Sequence, residues 1–370
     1  MDLKDLRDEI DQIDKEILEL FVKRMDVVKK VAEFKKQNNL PVLQGGREKE
    51  VIENIKKLSP PNLADGAAVL FENIMDISKA LQQQEIHSNL LMEPEEFIPE
   101  KALKIGCQGV SGSYQEQACK KIFGEKPITF FYSFEDVFKA VENGEIDYGV
   151  LPIQNSTAGS VAETYDLMRK YNFYIAARTQ VEITNCLAVR KGTNFESVQR
   201  VYSHEQALSQ CSEFLRANNL QKIAYINTAA AAQFVAQSSE PIAAICSEQC
   251  AIQYGLEILK TGISNVSPNY TRFICISKKF QMPKNPQTIS VALSIPNVKG
   301  SLFRLLTRFS VNNLDLEHIE SKPIANGSFD VIFYLDFFGD IKESKVSGLL
   351  MELQRELSYF KFLGNYGEVL

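Results

Sequence analysis

The sequence predicts a multidomain protein in three parts: an all-α N-terminal domain, a central α/β domain and a C-terminal α+β domain of ferredoxin-like order. Three observations carry this prediction. Apolar residues follow a helical seam from Leu3 to Phe34, short apolar runs alternate with helical stretches after Lys101, and a strand, helix, strand, strand, helix, strand pattern begins at Thr288. A chain of 370 residues also exceeds what one hydrophobic core usually organises.

The N-terminal domain is predicted to contain one long helix and two shorter ones. Helical spacing of apolar residues predicts a first helix over 3–34, a second over about 47–58 and a third over about 65–84. Prolines and glycines separate them. Three such helices enclose little core, so we expect two copies of the chain to intertwine and bury the remaining apolar faces.

Two segments without periodicity are predicted as linkers: residues 86–100, which are charged and contain prolines, and residues 281–287. The predicted domains are therefore residues 1–85, 101–280 and 288–370. In the central domain, apolar runs such as KIGC, GVLPI and FICIS are predicted strands, and stretches such as YQEQACKKIF and FEDVFKAV are predicted helices.

The composition excludes several classes of protein. Apolar residues make up 45% and charged residues 24% of the chain, as in a globular protein, and the net charge of -6 comes without the basic block of a nucleic-acid binder. No run approaches the ~20 apolar residues that span a bilayer, and the first residues lack the features of a secretory signal, so we expect a cytoplasmic protein. The seven cysteines are scattered, and we expect reduced thiols and no metal site.

Cations lie along the apolar seam of the first helix. Arg24 occupies a seam position, Arg7 and Lys35 lie beside it, and no acid on the seam neutralises them. Each could extend to the surface or pair with an acid of another helix. Polar residues follow at the start of the second helix and one turn apart on the third, and the whole set resembles the site of the all-helical chorismate mutases: Arg7, Arg24, Lys35, Arg47, Glu48, Ser78 and Gln82.

This resemblance, which covers residues 1 to about 85, implies how the two carboxylates of chorismate are held. Arg7, Arg24 and Arg47 would clamp them through planar guanidinium groups, which suit bidentate binding of a carboxylate. Arg7 would come from the partner subunit, and Ser78 would assist at one carboxylate.

The same resemblance implies which residues stabilise the ether oxygen of chorismate. This oxygen gains negative charge as its C–O bond breaks. The rearrangement is pericyclic and uses no nucleophile, so catalysis rests on holding the reactive conformer and stabilising this oxygen. Lys35 and Gln82 would be the catalytic donors to it, and Glu48 would hold the substrate hydroxyl. Gln44 stands where many of these mutases have an acid that helps to bind the hydroxyl; an amide can still accept that hydrogen bond, without charge.

The central domain carries polar loops at the ends of predicted elements. GVSGSYQEQA at 109–118, PIQNSTAGSV at 152–161 and the stretches SHEQALSQC, NTAAAAQFV and NYTRF together predict a cleft for a small polar ligand. These stretches resemble prephenate dehydratases across residues 104–278. That resemblance implies two lobes of the periplasmic-binding-protein type with a cleft between them, and a reaction without metal or organic cofactor.

In such dehydratases prephenate loses carbon dioxide and its ring hydroxyl in one aromatising step, so the enzyme must orient the dianion and help a poor leaving group to depart. The resemblance assigns the catalytic proton donor to Thr271, polarised by neighbours or acting within a hydrogen-bond network. His204 is an alternative acid or base, or only a residue that fixes its loop. The other residues expected to bind prephenate are Ser113, Asn155, Ser156, Thr157, Gln206, Thr228 and Arg272.

The last domain resembles the ACT domain of phenylalanine-regulated dehydratases through the stretches PNVKGSLFRLLTRF and NLDLEHIESKP. A helix N-terminus suits a carboxylate. The resemblance implies that phenylalanine binds between paired domains, at a helix start and a strand end: Gly300, Ser301, Leu302, Phe303, Glu320, Ser321, Lys322 and Pro323. A domain kept only for dimerisation is the alternative.

Together the resemblances predict a bifunctional enzyme, an isomerase and a lyase, that converts chorismate to prephenate and then to phenylpyruvate and is inhibited by phenylalanine. We expect a homodimer or a dimer of dimers, with no nucleic-acid or membrane partner. Two other hypotheses stay open at this point. The helical domain could regulate the dehydratase without catalysis, which Gln44 favours, or the chain could be an amino-acid-responsive binding protein.

Overall fold

The structure, a computed structural model, describes residues 2–38, 40, 45–86, 93–324 and 331–369. It divides into two compact units. The first unit joins residues 1–93 to residues 288–362, and the second joins residues 94–287 to residues 363–370. The N-terminal and C-terminal domains therefore belong to one unit, and the central domain forms the other.

The N-terminal domain is helical, as predicted, and consists of α1 (Leu3–Gln37), α2 (Gly45–Leu58) and α3 (Ala64–Ile86). A capping box starts α1, because the side chain of Asp2 accepts hydrogen bonds from the backbone amides of Lys4 and Asp5. Both α1 and α2 pack against α3. The single long first helix confirms the prediction from its apolar seam.

Much of that seam is exposed, with respect to the part of the chain that the structure describes. Leu6, Ile10, Ile13, Ile17 and Leu20 are each between 43% and 66% exposed on the N-terminal half of α1. Apolar area left in water forgoes a transfer free energy of about 25 cal/mol per Å². A continuous stripe of this kind is typical of a contact surface.

The central domain alternates strands and helices, as predicted for an α/β domain. Its elements are β1 (Glu95–Glu96), β2 (Ile105–Gln108), α4 (Tyr114–Phe123), β3 (Ile128–Phe131), α5 (Phe134–Asn143), β4 (Tyr148–Asn155), β5 (Gly159–Ser160), α6 (Ala162–Lys170), β6 (Tyr174–Glu182), β7 (Cys186–Arg190), β8 (Arg200–Ser203), α7 (Glu205–Gln210), α8 (Ser212–Ala217), β9 (Gln221–Ala224), α9 (Thr228–Gln237), β10 (Ala243–Cys246), α10 (Glu248–Gln253), β11 (Leu256–Lys260), β12 (Tyr270–Ser277) and β13 (Gln281–Met282).

These elements form two lobes. One lobe contains the strand order β6-β12-β4-β2-β3, and the other contains the order β11-β7-β10-β8-β9. The chain enters the second lobe after β6 and returns to the first with β12. The expected two-lobed α/β architecture is confirmed.

Parts of both segments predicted as linkers are strands of the second unit. β1 pairs in parallel with β13, and the backbone amide of Phe97 donates to the carbonyl oxygen of Met282 at 3.0 Å. The ring of Phe97 is buried and meets Phe123 and Tyr148 edge-on. Two-residue strands are too short to show a period of two, so the charges and prolines dominated the prediction.

The C-terminal domain follows the expected ferredoxin-like order: β14 (Thr288–Ser294), α11 (Ser301–Val311), β15 (Leu316–Pro323), β16 (Val331–Phe338), α12 (Ser344–Glu356) and β17 (Tyr359–Val369). The strands are ordered β15-β16-β14-β17 in the sheet. Helices α11 and α12 pack against α3 of the N-terminal domain. The two domains share an interface even though the central domain separates them in sequence.

The final strand, β17, contributes residues to both units. Residues 359–362 belong to the first unit and residues 363–369 to the second, where residues 367–369 pair in parallel with β6. Glu368 forms an ion pair with Arg178 of β6 at 3.3 Å. Gly364 is required for this approach, because a Cβ atom there would collide with the carbonyl oxygen of Ile175.

Within the described ranges, no helix combines the length and apolar character that crossing a membrane requires. The same ranges contain no group of three or more histidine, cysteine, aspartate or glutamate side chains placed to hold a metal ion. All seven cysteines are free thiols in buried positions.

Candidate active sites

A cleft of about 510 Å³ lies between the two lobes of the second unit. Its walls combine residues of the first lobe, such as Asn155 and Thr271, with residues of the other, such as Gln206 and Thr228. The structure brings five of the residues predicted to bind prephenate to this cleft: Ser113, Asn155, Gln206, Thr228 and Thr271.

Four helices begin at the cleft. The N-cap residues of α4, α5, α7 and α9 line it: Ser113, Ser133, His204 and Asn227. The backbone amides and the positive dipole end of a helix start attract anions. Because the described residues that line this cleft include no lysine or arginine, a dianion would be held there by amides and hydroxyls.

Thr271 lies on β12 opposite Asn155 on β4, and only 8% of its surface is exposed. The side-chain amide of Asn155 donates to Thr271 Oγ1 at 2.9 Å and to Asn269 Oδ1 at 2.9 Å. Asn155 and Asn269 are themselves buried. The hydroxyl of Thr271 therefore belongs to a buried hydrogen-bond network at the wall of the cleft.

Donor counting fixes the orientation of the Asn155 amide. Its Oδ1 atom accepts from the backbone amides of Thr157 at 3.0 Å and Ala158 at 2.9 Å, so the opposite end must be the NH₂ group. That group donates to Thr271 Oγ1, and the hydroxyl proton of Thr271 must then be directed to a different acceptor. A hydroxyl oxygen that accepts a hydrogen bond becomes a stronger donor.

Ser156 and Thr157 form the turn next to Asn155 and are not among the residues that line the cleft. Ser156 Oγ accepts from the backbone amide of Tyr270 at 2.9 Å. Both hydroxyls lie 3.3 Å from Asn269 Oδ1. Their contacts tie the turn to β12 and so support the pair formed by Asn155 and Thr271.

Arg272 follows Thr271 on β12, where successive side chains point to opposite faces. Thr271 and Phe273 line the cleft, whereas the guanidinium of Arg272 lies 3.4 Å from Gln154 Oε1. Arg272 is not among the lining residues, and its role at a substrate carboxylate stays a prediction.

His204 lines the cleft as the N-cap residue of α7. Its Nδ1 atom accepts from the backbone amide of Gln206 at 3.3 Å. The histidine thus both fixes its loop and faces the cleft, so the two hypotheses for this residue remain open.

The N-terminal helices bring together four of the residues predicted to bind chorismate. Arg24 Nη1 donates to Ser78 Oγ, and Lys35 Nζ donates to Gln82 Oε1 at 3.1 Å. Lys35, Ser78 and Gln82 are buried. Burial lowers the pKa of Lys35, and the charge of nearby Glu48 opposes that shift.

Arg7 and Arg47 are exposed. Arg47 pairs with Glu50 at 3.3 Å. Arg7 stands roughly 25 Å from Arg24 along α1 at 1.5 Å per residue, so it cannot reach the cluster of its own chain. Gln44 lies outside the described residues.

Comparison with known proteins assigns both regions. Residues 6–83 match the type II chorismate mutase family, and residues 105–281 match the prephenate dehydratase family. The whole chain is 32% identical to the bifunctional chorismate mutase/prephenate dehydratase of Aquifex aeolicus, over 99% of that protein. The protein of the same name from Escherichia coli K12 is 30% identical, with 98% of this chain and 95% of that one covered. The chain belongs to this family.

A solved structure extends the comparison. The prephenate dehydratase from Arthrobacter aurescens, in complex with L-Phe, matches with a TM-score of 0.65 at 26% identity, over 71% of this chain and 89% of that one. The predictions of a chorismate mutase domain, a prephenate dehydratase domain and two enzyme activities are confirmed. Membership of this family argues against an amino-acid-responsive binding protein.

The dehydratase cleft also contains polar residues that the sequence did not single out. Asn185 is 1% exposed and donates to Ser264 Oγ at 3.1 Å, while its Oδ1 atom has no hydrogen-bond partner among the described residues. Gln210 lines the cleft and its Nε2 atom lies 3.4 Å from Thr157 Oγ1. The feature of the sequence that could have identified Asn185 is its position directly before the apolar run of β7.

The two segments predicted to bind phenylalanine lie at the start of α11 and at the end of β15. Gly300 precedes α11 with φ +82°, a left-handed conformation that favours glycine, and it has no side chain to cap the amides of the first turn. Lys322 pairs with Glu320 at 2.9 Å. Phe303, in the first turn of α11, is 54% exposed.

Proposed function

We propose that this chain rearranges chorismate to prephenate on its N-terminal helices and converts prephenate to phenylpyruvate in the cleft of its second unit, under inhibition by phenylalanine. The supporting observation is that each matched region contains its own network of polar side chains: Lys35 with Gln82 and Arg24 with Ser78 in one, and Asn155 with Thr271 in the other. Protein incubated with chorismate should release prephenate and then phenylpyruvate. Chorismate left unchanged while added prephenate is consumed would make the helices a regulatory domain only.

At the mutase site, chorismate would replace contacts that the side chains now make with one another. Lys35 now donates to Gln82 Oε1; with substrate bound, its ammonium would donate to the ether oxygen as negative charge develops there. Gln82 would rotate its NH₂ group toward the same oxygen. Two donors already held by buried partners cost little reorganisation during the reaction.

In the dehydratase cleft, Thr271 would donate its proton to the ring hydroxyl of prephenate, which leaves as water. The electron pair of the breaking bond to carbon dioxide enters the ring and completes its aromaticity. Asn155 would polarise the threonine by donating to Oγ1. The helix starts at Ser113, Ser133 and Asn227 would hold the substrate carboxylates.

We also propose that the active mutase is a dimer. The exposed apolar stripe of α1 suits the same helix of a second copy. Arg7 lies on that half of α1 and is too far from its own cluster to act there. Dimerisation would bury the stripe and bring Arg7 to the cluster of the partner.

Mixing two inactive variants tests this arrangement. Arg7→Ala and Lys35→Ala should each abolish mutase activity alone. In a mixed dimer, one site would combine the intact Lys35 of one chain with the intact Arg7 of the other. Random exchange should restore about a quarter of wild-type activity, because half of the dimers are mixed and each has one intact site. No recovery after verified subunit exchange would contradict the proposal that Arg7 acts in the site of the partner.

We propose that phenylalanine binds at the start of α11 with its carboxylate on the backbone amides that Gly300 leaves uncapped and its ammonium near Glu320. Phenylalanine should weaken prephenate binding by roughly 5- to 150-fold, the usual range of allosteric coupling, and should raise the melting temperature. Glu320→Ala should abolish both effects and leave catalysis in place. Glu343→Ala, an exposed change in the same domain, is the matched control.

Calorimetry that detects no phenylalanine binding at millimolar concentration would leave this domain as a dimerisation module. Truncation after Lys284 is the weaker experiment. It would also remove residues 363–369 from the sheet of the dehydratase unit, so lost activity could not be assigned to regulation.

We propose a cytoplasmic location for the enzyme. All seven cysteines are unpaired and buried, as in proteins of a reducing compartment.

A further inference from the structure

Five ionisable side chains meet where α3 packs against α11 and α12, three of them buried and two mostly buried. They are Asp76 and Lys79 on α3, Arg308 on α11, and Glu352 and Glu356 on α12, and we call them the buried charge cluster. Asp76 and Lys79 are each 7% exposed and Glu352 is 3% exposed. Charges are almost never buried to this extent unless they are paired.

The cluster divides into two sets of ion pairs. Arg308 serves both acids of α12, with Nη1 at 3.2 Å from Glu352 and Nη2 at 2.6 Å from Glu356. Lys79 pairs with Asp76, one turn earlier on α3, at 2.8 Å. Glu352 and Glu356 are therefore both paired with Arg308, which is a counter-ion for them apart from Lys79.

Lys79 also contacts a residue of the mutase site. Its ammonium has three donors, and one carboxylate oxygen of Asp76 lies within hydrogen-bond distance of it, at 2.8 Å. The Oε2 atom of Glu48, at the start of α2, lies 3.7 Å away. Glu48 is at the same time close enough to Lys35 for its charge to act on that ammonium. Glu48 therefore contacts the ammonium of Lys79 and acts through its charge on that of Lys35.

We propose that Lys79 is a positioning residue for the mutase reaction, holding Glu48 by Oε2 so that Oε1 is directed to the hydroxyl of chorismate. This inference rests on the proposed role of Glu48 in binding that hydroxyl. The side chain of Glu48 is 33% exposed, so without a fixed partner it would sample other rotamers in water. Asp76 and the tight packing around Lys79 in turn hold the ammonium in place.

A purely structural role for Lys79 makes a different prediction. If the lysine only neutralises Asp76 and secures α3 to the C-terminal helices, its removal should lower stability without any dependence on Glu48. The two roles separate in a double-mutant cycle, because a residue that acts through Glu48 has nothing left to contribute once Glu48 is changed.

The test compares the full-length chain with Lys79→Met, Glu48→Gln and the double variant, assayed with chorismate and, separately, with prephenate. Lys79→Met should lower kcat/KM for chorismate by about tenfold or more, since small losses of substrate or side-chain position have effects of that size. The double variant should be no slower than Glu48→Gln. Lys79→Arg should recover activity, and dehydratase turnover should not change.

Lys56→Met is the matched control: this ammonium lies on α2, is about half exposed and pairs with Asp65. If Lys79→Met does not fold, the paired substitution Asp76→Asn with Lys79→Gln replaces it in the cycle. That variant removes both charges and keeps hydrogen-bonding groups at both positions. Equal losses from Lys79→Met with and without Glu48 would overturn the proposal, as would unchanged or increased mutase activity. Normal activity of Glu48→Gln would instead refute the assignment of Glu48 to chorismate.

Discussion

Thr271→Val should lower turnover of prephenate by about 10²- to 10⁴-fold, the range that a general acid contributes. The substitution deletes the hydroxyl and nearly keeps the shape of the side chain, and valine suits β12 as well as threonine does. Asn155 would lose one acceptor and keep its contacts with Asn269 and the backbone. Turnover of chorismate in the other unit should be unchanged.

Thr129→Val is the control for this experiment, because Thr129 lies exposed on β3 of the same lobe. The measurement is the steady-state rate of phenylpyruvate formation from added prephenate, together with the melting temperature of each variant. A valine enzyme with normal turnover would show that Thr271 is not the proton donor. His204, which lines the same cleft, would then be the next residue to change.

Lys35→Ala should lower turnover of chorismate by roughly 10²- to 10³-fold, or about 3 to 4 kcal/mol in the barrier, as for the loss of one donor to a developing oxyanion. The ammonium is buried beside Gln82, so water does not readily replace it. Dehydratase activity on added prephenate should persist, because Thr271 lies in the other unit.

Lys36→Ala makes the same change at the next, exposed position of α1 and should keep mutase activity. The rate of chorismate consumption is measured for both variants. A loss in Lys35→Ala alone is an effect on the reaction, whereas equal losses in both variants would indicate a change in the helix. Near-normal turnover in Lys35→Ala would refute the assignment of the ether oxygen to this lysine.

Elements with a strong period were predictable from the sequence. The apolar seam of α1 indicated a helix from Leu3 onward, and the stretch YQEQACKKIF has the same bounds as α4. Helices of this kind depend on local spacing and caps, such as Ser113 before α4. Spacing and caps involve residues that are close together in the sequence, so the sequence alone reveals them.

Elements that depend on distant partners were harder to predict. β1 and β13 are two residues each and exist because they pair across the length of the second unit. The stretch QALSQCSEFL has the spacing of one helix, yet the structure divides it at Cys211 into α7 and α8. Tertiary contacts decide such cases, and local propensity does not report them.

The residues of the candidate sites also differ in how readily the sequence identifies them. Thr271 and Asn155 stand in conspicuous polar stretches, and the structure pairs them. Asn185 and Lys79 stand among ordinary neighbours, and their contacts appear only when β7 borders the cleft and α2 packs against α3. Burial opposes the charge on Lys79, yet the attraction of Asp76 leaves its pKa raised.

The pairing of β17 with β6 sets an order of events during synthesis on the ribosome. Residues 367–369 are made only after the rest of the C-terminal domain, about 190 residues later than their partners in β6. At 5 to 20 residues per second, the open edge of β6 waits roughly 10 to 40 s for its partner. Such an edge can pair with other nascent chains, so efficient production of this enzyme would depend on chaperones that shield it meanwhile.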